Sequence, residues 1–163
     1  MEKVYGTTER HDSLIMYRKT GKAVLVFGYG KEDGQGYDYR HTFNKLPTKE
    51  EVLTVIIDHV NSISDERILS GFLWNGKKIW LSSENQFNFK AAYDLAVQTN
   101  GATLPITFKI WENDDKTPVY HTFETVEEFA ECYTQALAYI IDVLNEGWIE
   151  KDRAKQWLDT IMQ

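Results

Sequence analysis

The chain of 163 residues has one cysteine, three prolines and no apolar run approaching the length of a membrane span. A lone thiol, Cys132, cannot close an internal disulfide, so oxidative stapling plays no part in stability. It falls on the apolar stripe of an expected helix, where burial raises a thiol pKa and disfavours the thiolate, and it reads as core filler rather than a nucleophile. A spanning helix needs about 20 consecutive apolar residues, which argues against a membrane partner. Met1 to Arg10 is polar and the first apolar stretch is only Leu14 to Tyr17, so no secretory leader is expected and an intracellular protein is the default. The length suits a single domain over residues 1–163, with 1–45 as an N-terminal β-hairpin region.

Clustered cations are also missing. The net charge is -7, and it is unevenly spread: residues 1–111 carry 14 Lys and Arg against 13 Asp and Glu, whereas residues 112–163 carry 4 against 12. Nucleic-acid binding needs grouped cations that neutralise phosphates and release counterions, so no nucleic-acid partner is expected. The acidic run Glu124, Glu127, Glu128 and Glu131 sits at a helix start, where the macrodipole favours it, and reads as a solvated, well-capped terminus.

Sequence signatures of chemistry are absent as well. Gly28, Gly30, Gly34 and Gly36 follow an apolar strand, but their spacing matches neither a dinucleotide fingerprint nor a Walker loop, and no helix begins after them. They read as a mobile hairpin or loop. His11, His41, His59 and His121 include no i, i+4 pair for a metal. Asp114-Asp115 lacks the ligand order and central glycine of a calcium loop. No nucleophile elbow occurs. The expectation is therefore no catalytic residue, no metal and no cofactor, in a protein that is not an enzyme. A hydrolase would require Asp33 or Asp38 to meet His41 or His121 in a cleft.

What the sequence does have is a repeated plan, a Trp-bearing hairpin feeding an amphipathic helix through a Ser/Thr-x-x-Gln/Glu cap. In the first copy Phe72-Leu73-Trp74 turns at Asn75-Gly76, whose residues tolerate the positive φ of a type I′ turn, and returns through Lys78 to Leu81. Ser83 and Gln86 form the expected cap, Phe87, Ala91 and Leu95 with Ala92 and Ala96 the expected inner face, and Asn100-Gly101 the stop. In the second, Ile106 to Trp111 alternates with period two, and Val119 to Phe123 returns behind Pro118. Thr125 and Glu128 then cap a helix whose stripe runs Phe129, Cys132, Tyr133, Ala136, Ile140, Leu144 before Gly147 ends it.

A looser version precedes both. Leu14 to Tyr17 and Ala23 to Phe27 flank Thr20-Gly21-Lys22, Tyr37 to Phe43 is a further strand, and Thr48 with Glu51 caps a helix bearing Val52, Val55, Ile56 and Val60. A short closing helix from near Lys151 carries Ala154, Trp157, Leu158 and Ile161. The expected order is β-β-β-α, β-β-α, β-β-α, α. The fold class is α+β, with antiparallel hairpins alternating with single helices and the helices packed on one face of a curved sheet.

Aromatic residues are the remaining functional handle. Most belong to the core of such a domain, while Trp74 beside its turn and Trp111 beside the acidic turn are expected at the surface. There they would anchor a protein partner or stack a sugar ring, with Asn85, Gln86 and Asn88 as hydrogen-bonding neighbours. The amides also serve as ordinary polar residues of a helix start.

The stretch Gly71-Phe72-Leu73-Trp74-Asn75-Gly76-Lys77-Lys78-Ile79-Trp80 through Gln86-Phe87-Asn88-Phe89-Lys90, followed by Tyr93-Asp94-Leu95-Ala96, resembles a domain of unknown function common in phage and prophage proteins of gut bacteria, often encoded near tail genes. Leu104 to Lys109, Ala138-Tyr139-Ile140 and Gly147 to Asp152 are similar to its second half. The likeness covers roughly residues 65–155 and leaves the first 45 unassigned. It implies a phage-encoded structural or accessory protein, tail-associated, with no known enzymatic activity, located in the bacterial cytoplasm or the virion. Its partner would be another phage or host protein, or itself as a homo-oligomer. A small-ligand or carbohydrate-binding domain is the alternative.

Overall fold

Thr48 and Glu51 close a reciprocal cap in the computed structural model, which describes residues 1–162: the Glu51 amide donates to Thr48 Oγ1 at 3.2 Å and the Thr48 amide to the Glu51 carboxylate at 2.9 Å. Two orphan amides are satisfied locally, and helix α1, Lys49–Ser70, begins there. The chain divides into two units, one formed by Met1–Asn61 together with the segment from Ile149 onward, the other by Ser62–Trp148. A single domain was the expectation from length. The divisions fall inside helices, so no linker composition announces them.

In the first unit, strands β1 (Glu2–Tyr5), β2 (Ser13–Tyr17), β3 (Lys22–Glu32) and β4 (Gln35–Phe43) form an antiparallel sheet in the order β1-β4-β3-β2. Inward residues of the sheet, Ala23, Leu25, Phe27 and Phe43, pack with Val52, Ile56 and Val60 of α1 and with Ala154 and Leu158 further along the chain. One face of the sheet is thus covered by helices, while Val24, Val26, Arg40 and Thr42 alternate to the other. Strand β1 was not expected, because Glu-Lys-Val-Tyr gives too short and polar an alternation to stand out. Its register with β4 and the Lys3 ammonium, 4.2 Å from the Tyr37 ring centre and 2.9 Å from Glu32, hold it in place.

The glycine-rich segment is a β-hairpin turning at Asp33-Gly34, both at positive φ. Gly28 lies at a bulge with φ 76°. At Gly36 an added Cβ would stand 2.0 Å from the Thr7 carbonyl oxygen, so this glycine is there for close backbone approach and not for phosphate.

The second unit contains β5 (Leu73–Trp74) and β6 (Lys77–Lys78) around Asn75-Gly76, helix α2 (Ser83–Gln98), and the hairpin β7 (Ile106–Glu112) with β8 (Pro118–Phe123). Asn75 at φ 49° and Gly76 at φ 74° make the expected tight turn. The fold is α+β, its strands distributed over one four-stranded and two two-stranded antiparallel sheets. The Trp80 amide donates to the Ile110 carbonyl at 2.8 Å and joins the two small hairpins. Their core is largely aromatic: Phe123 is fully buried and stacks on Phe129, with ring centres 4.3 Å apart.

Helix α3, Val126–Ile161, corrects two expectations at once, since it passes without interruption through Gly147 and includes the segment expected as a separate closing helix. A mid-helix glycine costs only about 1 kcal/mol relative to alanine. The buried residues Val143, Ala154 and Leu158 on either side outweigh that cost. At its start the Glu128 amide donates to Thr125 Oγ1 at 3.1 Å, as expected, but the Glu128 carboxylate accepts from the Glu124 amide at 3.0 Å.

Candidate functional site

Helix α2 begins one residue earlier than its sequence suggests. Ser82, not Ser83, is the cap residue, and its hydroxyl accepts from the Asn85 amide at 3.2 Å. The Asn85 side chain donates to the Trp80 carbonyl at 3.0 Å and the Gln86 side chain to the Leu81 carbonyl at 2.6 Å. Both amides therefore tie the helix start to the segment that follows β6. Asn88 is exposed on the helix.

Two apolar patterns compete along α2, and packing chooses between them. Phe89 is buried with Ala92 and Tyr93 packed partly buried against the same core, and Ala96 is buried, whereas Ala91 is exposed, Leu95 is 49% exposed and Phe87 is 71% exposed. The expected face of Phe87, Ala91 and Leu95 is thus turned outward. Phe87 stands over a groove of about 220 Å³ floored by Leu81, Phe89, Tyr133, Ala136 and Ile140, with Leu137 of α3 on the opposite lip. Leu137, itself 46% exposed, and Ile141 one turn on extend the apolar surface along α3. Tyr133 stacks on Tyr93 with ring centres 5.3 Å apart. Nothing in the sequence distinguishes these residues from core, because a helix stripe wider than its partner surface spills apolar side chains onto the rim.

The expected surface position of Trp74 is corrected. Its side chain is 2% exposed, packed edge-on to His121 at 5.0 Å and tilted against Phe123 at 5.8 Å. Its strand is only two residues long, so the indole fits beneath the turn rather than away from it, and no sugar ring can stack there. Trp111 differs. It is half-buried, its ring centre 5.0 Å from that of Trp80, and it lines a broad depression of about 710 Å³ with Lys77, Lys78, Asn113, Asp114 and Asp115. Lys78 Nζ lies 5.1 Å from the Trp111 ring centre. The amides of Asn85, Gln86 and Asn88 do not line this depression.

Ionisable groups are engaged in structure. His121 Nε2 lies 3.0 Å from Glu128 Oε1 and its Nδ1 3.1 Å from Lys77 Nζ, an arrangement in which Nε2–H donates to the carboxylate and Nδ1 accepts from the ammonium. The Asp38 carboxylate holds Arg40 at 2.8 and 3.1 Å, and lies on the opposite face of β4 from His41. His59, half-buried edge-on to Tyr39 at 4.2 Å, has no hydrogen-bond partner on Nε2, and burial lowers its pKa to about 4, the α-amino group at Met1 adding to the shift. Burial pushes the Cys132 thiol up to about 12, with Glu128 and Glu131 contributing. Among the described residues no group of three or more His, Cys, Asp or Glu is placed to hold a metal ion, and no helix is long and apolar enough to cross a membrane.

Comparison with protein-family models, with curated proteins and with solved structures finds no match to this chain.

Proposed function

We propose that the protein is a non-enzymatic accessory protein of a phage or prophage, tail-associated, that acts by protein contact through the groove between α2 and α3. The phage setting rests on the resemblance of the sequence of residues 65–155 to the phage-associated domain, which implies the bacterial cytoplasm or the virion. The contact rests on one observation: Phe87, 71% exposed, stands at the mouth of an apolar groove whose far lip is Leu137. Large aromatics beside a preformed apolar pocket are the residues that anchor protein partners. Covering the Phe87 ring supplies about 2 kcal/mol, or about thirtyfold in affinity. The occupant is a protein segment inserting a large apolar side chain between Phe87 and Leu137. Coexpression with the structural proteins of the phage, followed by affinity measurement on the purified complex, tests this. The Phe87→Asp variant should keep its thermal midpoint and lose the complex, and unchanged binding by that variant overturns the groove.

A second reading has an observation of its own. Trp111, half-buried beside Asn113, Asp114, Asp115 and two lysines, is a platform of the kind that stacks a sugar ring within a rim of hydrogen-bonding groups. Titration of tryptophan fluorescence with a glycan panel decides it: a saturable change lost in Trp111→Ala supports it, and a flat response to every glycan removes it.

A further inference from the structure

The two edges of the four-stranded sheet differ in kind. At the β1 edge Glu2 and Lys3 are charged, and Lys3 is bonded to Glu32, the usual protection against adding another strand. The β2 edge has no such device. Ser13-Leu14-Ile15-Met16-Tyr17 contains no charge, proline or glycine, pairs residue for residue with β3, and leaves Ile15 46%, Met16 40% and Tyr17 50% exposed. An antiparallel strand directs alternate N–H and C=O groups to its two sides, and β2 has a neighbour on one side only. Past this edge the inward surface continues as a shelf of about 220 Å³ lined by Leu14, Met16, Trp157 and Ile161.

We propose that β2 is a self-association strand: β2 of a second copy adds to it antiparallel, making one continuous sheet across a two-fold axis at Ile15. The shelf asks for an extended segment with apolar side chains at alternate positions on its inward face, which Leu14 and Met16 of the second copy provide. Charge selects the register. Only pairings that keep inward residues opposite inward residues are allowed. Centring on Leu14 sets Arg18 against Arg10, and centring on Met16 sets Arg18 against Leu14 over the shelf. Centring on Ile15 puts Leu14 opposite Met16, Ser13 opposite Tyr17 and, one residue past the strand, Asp12 opposite Arg18. Asp12 is held as an acceptor by the Gly28 amide at 2.8 Å, Arg10 at 2.8 Å and Arg153 at 3.0 Å, which leaves one of its lone-pair sites open. Arg18 has no ion-pair partner among the described residues. Opposite charges directly across a strand pair stabilise it, and like charges destabilise it.

This interface is independent of the groove proposed above, which lies in the other unit. Sedimentation of the full chain over a wide concentration range tests it, a reversible monomer–dimer equilibrium being the expected result. Ile15→Lys sets two ammonium groups against each other at the axis on an exposed, outward position; it should abolish the dimer while circular dichroism and the thermal midpoint stay as in the parent. In a second variant, Ile15→Cys, the new thiols face each other across the axis at a Cβ separation of about 5 Å, so oxidation should link dimers rapidly. Ser13→Cys, opposite Tyr17 instead of itself, should link far more slowly. A chain that stays monomeric throughout, a dimer that survives Ile15→Lys, or equal linking of the two cysteine variants overturns the proposal.

Discussion

Replacing His59 with leucine should lower the acid sensitivity of the first unit. The imidazole is half-buried against Tyr39 with its Nε2 unpartnered, and its pKa falls to about 4 from the ordinary 6.5. A base whose folded pKa is depressed is protonated more readily when unfolded, so its penalty is absent above the unfolded value. Stability declines as pH falls below 6.5 and levels off below about 4. At about 1.4 kcal/mol per pKa unit the full effect is about 3 kcal/mol, of which about 2 kcal/mol appears between pH 7 and pH 5. His41, whose pKa burial also lowers, contributes with the same sign in parent and variant alike and drops out of their difference. The carboxylates of the same unit, Glu32, Glu51 and Asp159 lowered by their hydrogen bonds and Glu150 raised by burial, are likewise common to parent and variant and drop out of the difference. Urea denaturation of parent and His59→Leu at a series of pH values gives the two slopes, and proton NMR of the imidazole gives its midpoint directly. Parallel slopes, or an imidazole midpoint near 6.5, refute the reasoning.

Three further outcomes follow from packing. Phe123→Ala deletes a fully buried ring that stacks on Phe129 and tilts against Trp74, and should cost about 3–5 kcal/mol by chemical denaturation. Gly36→Ala drives a Cβ to 2.0 Å from the Thr7 carbonyl oxygen, a backbone atom that cannot swing aside, so a clear fall in thermal midpoint is expected where an alanine at Gly34, which meets nothing within 4 Å, brings only turn strain. Cys132, 3% exposed with its thiol pushed up to about 12, should resist a thiol-specific reagent at pH 8 in the folded protein and react at once in denaturant.

Features whose determinants are neighbours in the chain were legible in the sequence. The Thr48–Glu51 box and the Thr125 cap are three-residue interactions, and the Asn75-Gly76 turn is dictated by the φ values of two residues. Where two local solutions were nearly equal, tertiary packing chose. Ser82 displaced Ser83 as the α2 cap because Asn85 and Gln86 are drawn back to the carbonyls of Trp80 and Leu81. On α2 the series Phe87, Ala91, Leu95 and the series Phe89, Ala92, Ala96 are both helical stripes, and only the position of the β7–β8 hairpin, whose Phe108 meets Phe89 edge-on at 4.9 Å, decides which is inward. The candidate site was hidden for the same reason, since Phe87 reads as core until its exposure is known and Leu137 stands outside the expected stripe of its helix. Trp74 erred in the opposite direction, a tryptophan beside a turn that the core claims. Gly147 shows the limit of punctuation: a residue that ends helices elsewhere is overridden when apolar side chains continue on both sides of it.

The first unit is discontinuous in sequence, and that sets an order of events on the ribosome. Residues 62–148 form an uninterrupted stretch, so all of the second unit is made before the segment from residue 149 onward that completes the first. The strands of the first unit must wait, because Ala154 and Leu158, which share a core with Leu25 and Ile56, are made only after the whole of the second unit. During that interval the uncharged β2 edge and the underside of its sheet stand uncovered in the nascent chain. The unit begun before the other is therefore sealed after it, and that interval is the stage most in need of a chaperone.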